Sequence, residues 1–236
     1  MTGNSDKSLF WLGFRHGAPF VLVVSPFGAL FGVVGTEAGL NLAEVMGFSV
    51  LVIAGAAQFA TLQLLTENAP ALIAVAAGLA VNLRMAMYSA ALTPHLGAAP
   101  LWKRALVAYL MLDQSYALAS AKFESEPDRP LSQKLAYYFG SVTPIAPLWY
   151  LSTLIGARLG SAIPPEFALD FALPITFLAL IAPTLRTVAH IAAAGTSVLA
   201  GLLLAFLPYN LGLLCAGLAA MVVGAQVELW QERRAS

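Results

Sequence analysis

Long stretches without a formal charge, each close to the length of a membrane span, constrain this chain more than any other feature. Gly17–Thr36, Val45–Thr66 and Leu135–Ala157 each run without an Asp, Glu, Lys or Arg. A helix needs about 20 apolar residues to cross the hydrocarbon of a bilayer, and each of these stretches is long enough. Backbone polar groups must bond internally there, so helices are the economical solution. Only 10% of the 236 residues are charged and the mean hydropathy is +0.79, against roughly 25% charged in soluble domains. The sequence therefore predicts an all-α, polytopic helical membrane protein built as one transmembrane domain over residues 1–236.

The remaining segments are less regular. The window between Glu67 and Lys103 holds a third span, expected from Pro70 to Pro94. Ala105–Ala121 is a shorter window with Asp113 at its centre. A sixth span is expected to begin near Pro165 and to take Asp170 into its first turns. Thr187–Val227 is uncharged throughout and long enough for two spans, and Leu207-Pro208-Tyr209-Asn210 offers a turn near its middle. The reading is about eight spans, with seven the nearest variant. With the N-terminus inside, eight of the 12 Lys and Arg residues fall on the cytoplasmic side and three (Lys103, Arg104, Arg158) outside. The positive-inside rule then predicts both termini in the cytoplasm. The first segment lacks an uninterrupted signal-peptide core because Arg15-His16 breaks it, so it is expected to remain as a span.

A candidate internal duplication runs through the chain. Pro19-x8-Gly28-Ala29-x2-Gly32 recurs in the second half, with the same internal spacing, as Pro147-x8-Gly156-Ala157-x2-Gly160. Small residues at this spacing also mark close helix packing, which is the simpler reading. The charged stretch Lys122–Lys134, with prolines at 127 and 130, separates possible halves 13–121 and 134–230. Parallel repeats would need four spans per half; an inverted pair would need a re-entrant segment, for which Gly55-Ala56-Ala57-Gln58 is the candidate.

Other chemistries find little support. The net formal charge is zero, which argues against nucleic-acid binding. One cysteine, Cys215, excludes an internal disulfide and a thiolate cluster. His16, His95 and His190 lack ligand spacing, so no metal or other cofactor is expected. Nucleotide-binding and hydrolase motifs are missing, so the chain reads as a non-enzyme.

Arg84 is the only formal charge between Glu67 and Lys103. A guanidinium cannot shed its charge, and placing one near a bilayer centre costs at least ~2.5 kcal/mol. It must therefore face protein or water and pair with something. Asp113 is the expected partner, either as a permanent ion pair or as a carboxylate that takes up a proton when the pair separates. Tyr88 lies one turn from Arg84 on the same face, whereas Asn82 lies about 200° round the helix. Gln58, among small neighbours, is a candidate cavity residue or interhelical glue. Asp170 is a candidate site residue or a helix-start residue favoured by the dipole. Pro26 and Pro174 are expected to kink their spans.

Read in order, several motifs resemble the AzlC family, the large subunits of bacterial branched-chain amino acid exporters. They are Pro26-Phe27-Gly28-x3-Gly32, Ala54-Gly55-Ala56-Ala57-Gln58-Phe59, Asn82-Leu83-Arg84-x3-Tyr88, Leu112-Asp113 and Leu169-Asp170-Phe171-Ala172. The resemblance implies a multi-pass permease of the bacterial plasma membrane. Its expected cargo is valine, leucine and isoleucine, with methionine a further candidate. It also implies a separate small AzlD-type membrane subunit as partner. On this reading Arg84, Asn82, Gln58 and Tyr88 bind the substrate and Asp113 couples its movement to protons. Two positions depart from the family's usual pattern: Met85 stands where a His is usual and Gln114 where a Glu is usual. Any proton relay here has two fewer titratable groups. The competing reading is a structural or regulatory membrane subunit with no substrate site of its own.

Overall fold

The structure is a computed structural model, and it describes residues 5–160, 185–208 and 211–235. The described residues are helical, joined by short turns. In order the helices are α1 (Asp6–Gly17), α2 (Val21–Glu37), α3 (Leu42–Leu51), α4 (Gly55–Thr66), α5 (Ala71–Leu96) and α6 (Leu101–Tyr109). They continue as α7 (Asp113–Ser125), α8 (Leu131–Val142), α9 (Ala146–Gly160), α10 (Val188–Leu203) and α11 (Leu211–Ala235). Among the described residues, three helical stretches are long and apolar enough to cross a membrane: Asp6–Glu37, Ala71–Leu96 and Leu211–Arg234. The region of Asp170, Pro165 and Pro174 lies outside the described residues, as do Tyr209 and Asn210.

Local sequence sets the turns. Gly39 takes φ +89° just past α2, the left-handed conformation a helix stop favours, and the Leu40 N–H returns to the Gly35 carbonyl at 3.1 Å. Asn41 then opens α3 with a reciprocal cap: its side chain accepts from the Glu44 N–H at 3.0 Å, and Glu44 accepts from the Asn41 N–H at 2.7 Å. This pair satisfies two otherwise orphaned amides. Pro26 stays inside α2, and α1 passes into α2 through the 3-10 turn Ala18–Phe20, which contains Pro19.

The chain divides into two compact units. In the first (residues 1–62 and 78–165) α1–α2 pack along α8–α9. Gly13 faces Tyr137 and Ser141, Gly28 faces Trp149 and Ser152, Gly32 faces Thr153 and Ala157, and Gly160 faces Val33 and Thr36. Numbers rise together on both sides, so the two helical stretches run parallel. The glycines of both motif copies line this seam and let the backbones approach. Each stretch is interrupted about midway, at the 3-10 turn Ala18–Phe20 and at the turn Thr143–Ile145.

The second and fourth apolar segments do not run as single helices. Val52 leaves α3 at φ −133° and ψ 88°, and α4 begins at Gly55. Ser49 and Gln58 nevertheless hydrogen-bond at 3.0 Å, although a straight helix from one to the other would span about 13 Å. The segment therefore folds back at Val52–Ala54. In the fourth segment, Leu110–Leu112 interrupt the helix, Leu112 is extended, and Ser115 Oγ accepts from the Leu112 N–H at 2.9 Å. Three rungs fix the direction of α7 beside α5: Arg84–Asp113 at 3.1 Å, Tyr88–Tyr116 at 4.0 Å between ring centroids, and His95–Phe123 at 5.4 Å. The two helices run parallel. Since α6 starts close after the end of α5, it must climb to the level of Arg84 before α7 descends. Tyr138 in α8 donates to the Val107 carbonyl at 2.8 Å, which sets the C-terminal halves of α6 and α8 side by side. Lys103 and Arg104, expected on the far side, thus share an end with Lys122, Arg129 and Lys134.

The second unit (residues 63–77 and 166–236) contains α10 and α11. They run antiparallel, with Gly201 facing Leu213 and Ala216 while Gly224 faces Ala193. Leu64, Ala69, Ala74 and Ala77 form a small buried cluster with Leu214 against it.

Candidate functional site

The α3–α4 and α6–α7 fold-backs form two hairpins, and the tip of the second carries Asp113. Asp113 is the first residue of α7, where the helix dipole favours a carboxylate, and it meets Arg84 from the middle of α5. The contact is single-point: Arg84 Nη1 to Asp113 Oδ2 at 3.1 Å. Arg84 Nε and Asp113 Oδ1 are buried and have no hydrogen-bond partner among the described residues. A guanidinium matches a carboxylate best through two parallel hydrogen bonds, so this pair leaves half of each fork unused. The side chains are 34% and 42% exposed, so the pair is not sealed inside the protein. Charges of this kind cannot stably face lipid tails; their open side must meet water or another protein surface.

Tyr88 lies one turn away and stacks on Tyr116 with an interplanar angle of 8°. The rings form a flat wall beside the pair. Asn82 does not join this cluster, because α5 stays helical from Ala71 to Leu96 and holds it on another face. Its Oδ1 is buried and unpartnered among the described residues. Gln58 also stands apart. It is fully buried and bonds Ser49, which lies 3.5 Å from the Thr153 hydroxyl. Phe27, Phe59 and Trp149 surround that region, with the Phe27 centroid 5.0 and 6.0 Å from the other two. The structure therefore brings together Arg84, Tyr88 and Asp113, but it places Gln58 and Asn82 elsewhere. Asp170 lies outside the described residues.

Tyr109 is not legible in the sequence as a site residue. At the end of α6 its hydroxyl donates to the Val50 carbonyl at 2.7 Å and meets the Tyr150 hydroxyl at 2.9 Å. It ties the tips of both hairpins to α9. The available signal is faint: two tyrosines, far apart in sequence, inside otherwise apolar windows. No group of three or more His, Cys, Asp or Glu side chains able to hold a metal occurs among the described residues.

The comparisons with known proteins place the chain among membrane proteins. The chain is 27% identical over 226 residues to the inner membrane protein YgaZ of Escherichia coli (strain K12), covering 92% of this chain and 91% of that protein. It is 28% identical over 190 residues to an uncharacterized membrane protein of Archaeoglobus fulgidus, covering 79% and 80% respectively. No solved structure matches. Residues 19–163 match the family described as AzlC protein, a stretch that includes both hairpins, α5, Arg84 and Asp113. This membrane protein belongs to the AzlC family.

Proposed function

We propose that this chain is a secondary transporter of the plasma membrane that exports small apolar amino acids of the branched-chain type, coupled to proton movement. The observation that carries the reading is the Arg84–Asp113 pair: two opposite charges, one midway along the apolar helix α5 and one at the start of α7, joined at one point, each with an unused buried atom and an open side. A zwitterion carries the same two charges. Its carboxylate can take the free side of the Arg84 fork while Asp113 releases the guanidinium to accept the ammonium or a proton. Tyr88 and Tyr116 offer an apolar wall for the side chain. The exchange of partners at Asp113 is the proposed link between substrate and proton. The cations gathered at the N-terminal end of the first unit support a cytoplasmic N-terminus. A small AzlD-type subunit is the proposed partner.

The test is counterflow of labelled leucine in proteoliposomes, with and without the co-expressed small partner, across a panel of amino acids. Arg84→Ala and Asp113→Asn, inserted at wild-type levels, should each lower leucine flux at least tenfold. Unchanged flux in both would remove these residues from the mechanism. A second reading is favoured by the directness of the 3.1 Å contact: the pair holds α5 to the hairpin, and the chain serves a complex structurally. The exchange Arg84→Asp with Asp113→Arg separates the two, since a structural pair tolerates reversal and a substrate site loses transport.

A further inference from the structure

The break between α3 and α4 has features that the Arg84–Asp113 pair does not explain. The α4 ladder begins with the Gln58 N–H, which donates to the Ala54 carbonyl at 3.0 Å. The amides of Gly55, Ala56 and Ala57 lie ahead of that bond, at the positive end of the helix. The last carbonyls of α3 lie across the turn, at the negative end. Such opposed half-helix ends can hold the two charges of an amino acid.

Two further side chains mark the same place. Trp149 is only 5% exposed, yet its indole N–H has no acceptor among the described residues. Its ring lies over the start of α4, with Cη2 2.8 Å from where a Cβ on Gly55 would sit. Gln58 is fully buried and uses one end of its amide on Ser49, while the other end is unpartnered. Turning the amide over leaves one end unpartnered just the same. Buried polar groups in native proteins are nearly always bonded. Here an orphaned donor and an orphaned amide end lie close to a helix start whose first residues, Gly55 and Ala56, are half-buried, with the Phe27 and Trp149 rings against Gly55. The neighbouring rings of Phe27, Phe31 and Phe59 are apolar.

We infer that the turn Val52–Ala57 is a second binding station, for a zwitterionic amino acid with an apolar side chain. This rests on the export reading above and adds a place on the path that is separate from Arg84. The α-carboxylate accepts from the Gly55–Ala57 amides and the Trp149 indole N–H. The α-ammonium donates to the Gln58 amide oxygen and the end of α3. The side chain lies against the phenylalanines.

The experiment is equilibrium binding of tritiated leucine to the purified full chain in nanodiscs, with unlabelled leucine and leucinol as competitors. Trp149→Phe keeps a ring and removes the N–H. Ala56→Pro removes one amide at a position where a helix tolerates proline. Each should weaken leucine binding about tenfold, the effect of losing one hydrogen bond to a charged group. Leucinol, which lacks the carboxylate, should not compete at a hundredfold excess. Arg84→Ala should retain a leucine-binding component that Trp149→Phe then weakens. The inference is overturned if both variants melt like the wild type and bind leucine equally tightly, or if leucinol competes as well as leucine. If Ala56→Pro does not fold, Trp149→Phe alone decides. Wild-type protein that binds leucine but shows no counterflow would sink the export reading while leaving this station standing. Protein that binds none would overturn both.

Discussion

Adding one methyl group at Gly156 should pry apart the seam between α2 and α9. An ideal Cβ there would sit 2.7 Å from the Ala29 carbonyl carbon and 2.8 Å from its Cα. Both atoms are backbone, so no rotamer can make room, and ordinary carbon contacts need about 3.5–4.0 Å. The helices must separate by roughly 1 Å along the seam, which forfeits dispersion at each neighbouring contact. Overpacking of this kind costs about 1–3 kcal/mol, and the better helix propensity of alanine returns up to ~1 kcal/mol. Gly156→Ala is therefore expected to be destabilising by about 1–2 kcal/mol, a fall of a few degrees in melting temperature for a chain of this size. Gly47 in α3 is the control, because nothing lies within 4 Å of a Cβ added there. Gly47→Ala keeps only the propensity gain and should be neutral or slightly stabilising. The assay is thermal unfolding of both variants in the same detergent, followed by tryptophan fluorescence and by recovery on size exclusion. Equal melting of Gly156→Ala and wild type would refute the close parallel seam.

The hairpin tips and the connecting loop offer two more tests. Tyr109→Phe removes the hydroxyl that joins Val50 to Tyr150; it should cost about 1 kcal/mol and speed amide exchange at residues 50–54 and 110–112. Tyr150→Phe spares the Val50 bond and should do less, so the opposite order would contradict the latch. Outside the spans, hydrogen bonds from Arg129 and then Lys122 pull Glu126 down to about 2 from its ordinary 4.5. A depressed carboxyl stabilises the loop above its ordinary value, and that contribution fades as pH falls from about 4.5 through about 2. Glu126→Gln mimics the protonated acid at neutral pH and should hasten tryptic cleavage after Lys122, which Glu126 also holds; identical nicking rates would show the clamp to be idle.

What the sequence reveals depends on whether the signal is local. Apolar windows give the helical class, because bilayer thickness and hydrogen bonding act on every residue of a span. Arg84 and Asp113 are legible as partners because few other charges occur at that depth. Asn82 and Gln58 join them only through motif resemblance, and helical phase and the fold of α3–α4 send both elsewhere. Lys134 reads as the edge of a solvated loop, yet it is 7% exposed and donates to the Pro127 carbonyl at 2.7 Å. Its neighbours His95 and Phe123 come from α5 and α7, which no sequence window contains. Gly55-Ala56-Ala57-Gln58, the re-entrant candidate, marks the α4 side of the first break; the second break carries no such mark. Val52-Ile53 and Leu110-Met111-Leu112 are apolar like their surroundings, and the interruptions are held by the Gln58–Ser49 and Tyr109–Val50 hydrogen bonds and by the local Ser115–Leu112 cap.

The two hairpins are not independent features, since the parallel seam couples them. Let α1–α2 run from the first end to the second. Between that stretch and α8–α9 stand three segments: α3–α4, α5 and α6–α7. If all three crossed, α8–α9 would run parallel to α1–α2. If only α5 crossed, the result would again be parallel. If one of the two broken segments crossed and the other folded back, the seam would have to be antiparallel. The rising register from Gly13–Tyr137 to Gly160–Val33 therefore allows both hairpins or neither. The matched rungs from Arg84–Asp113 to His95–Phe123 choose both. The hairpins consequently enter from opposite ends, and their tips meet where Tyr109 reaches Val50. A polar, interrupted backbone at that depth is tolerated only inside protein or beside water. The parity of the chain thus brings Asp113, the α4 helix start and the tyrosine latch to the facing tips of two hairpins that enter from opposite ends.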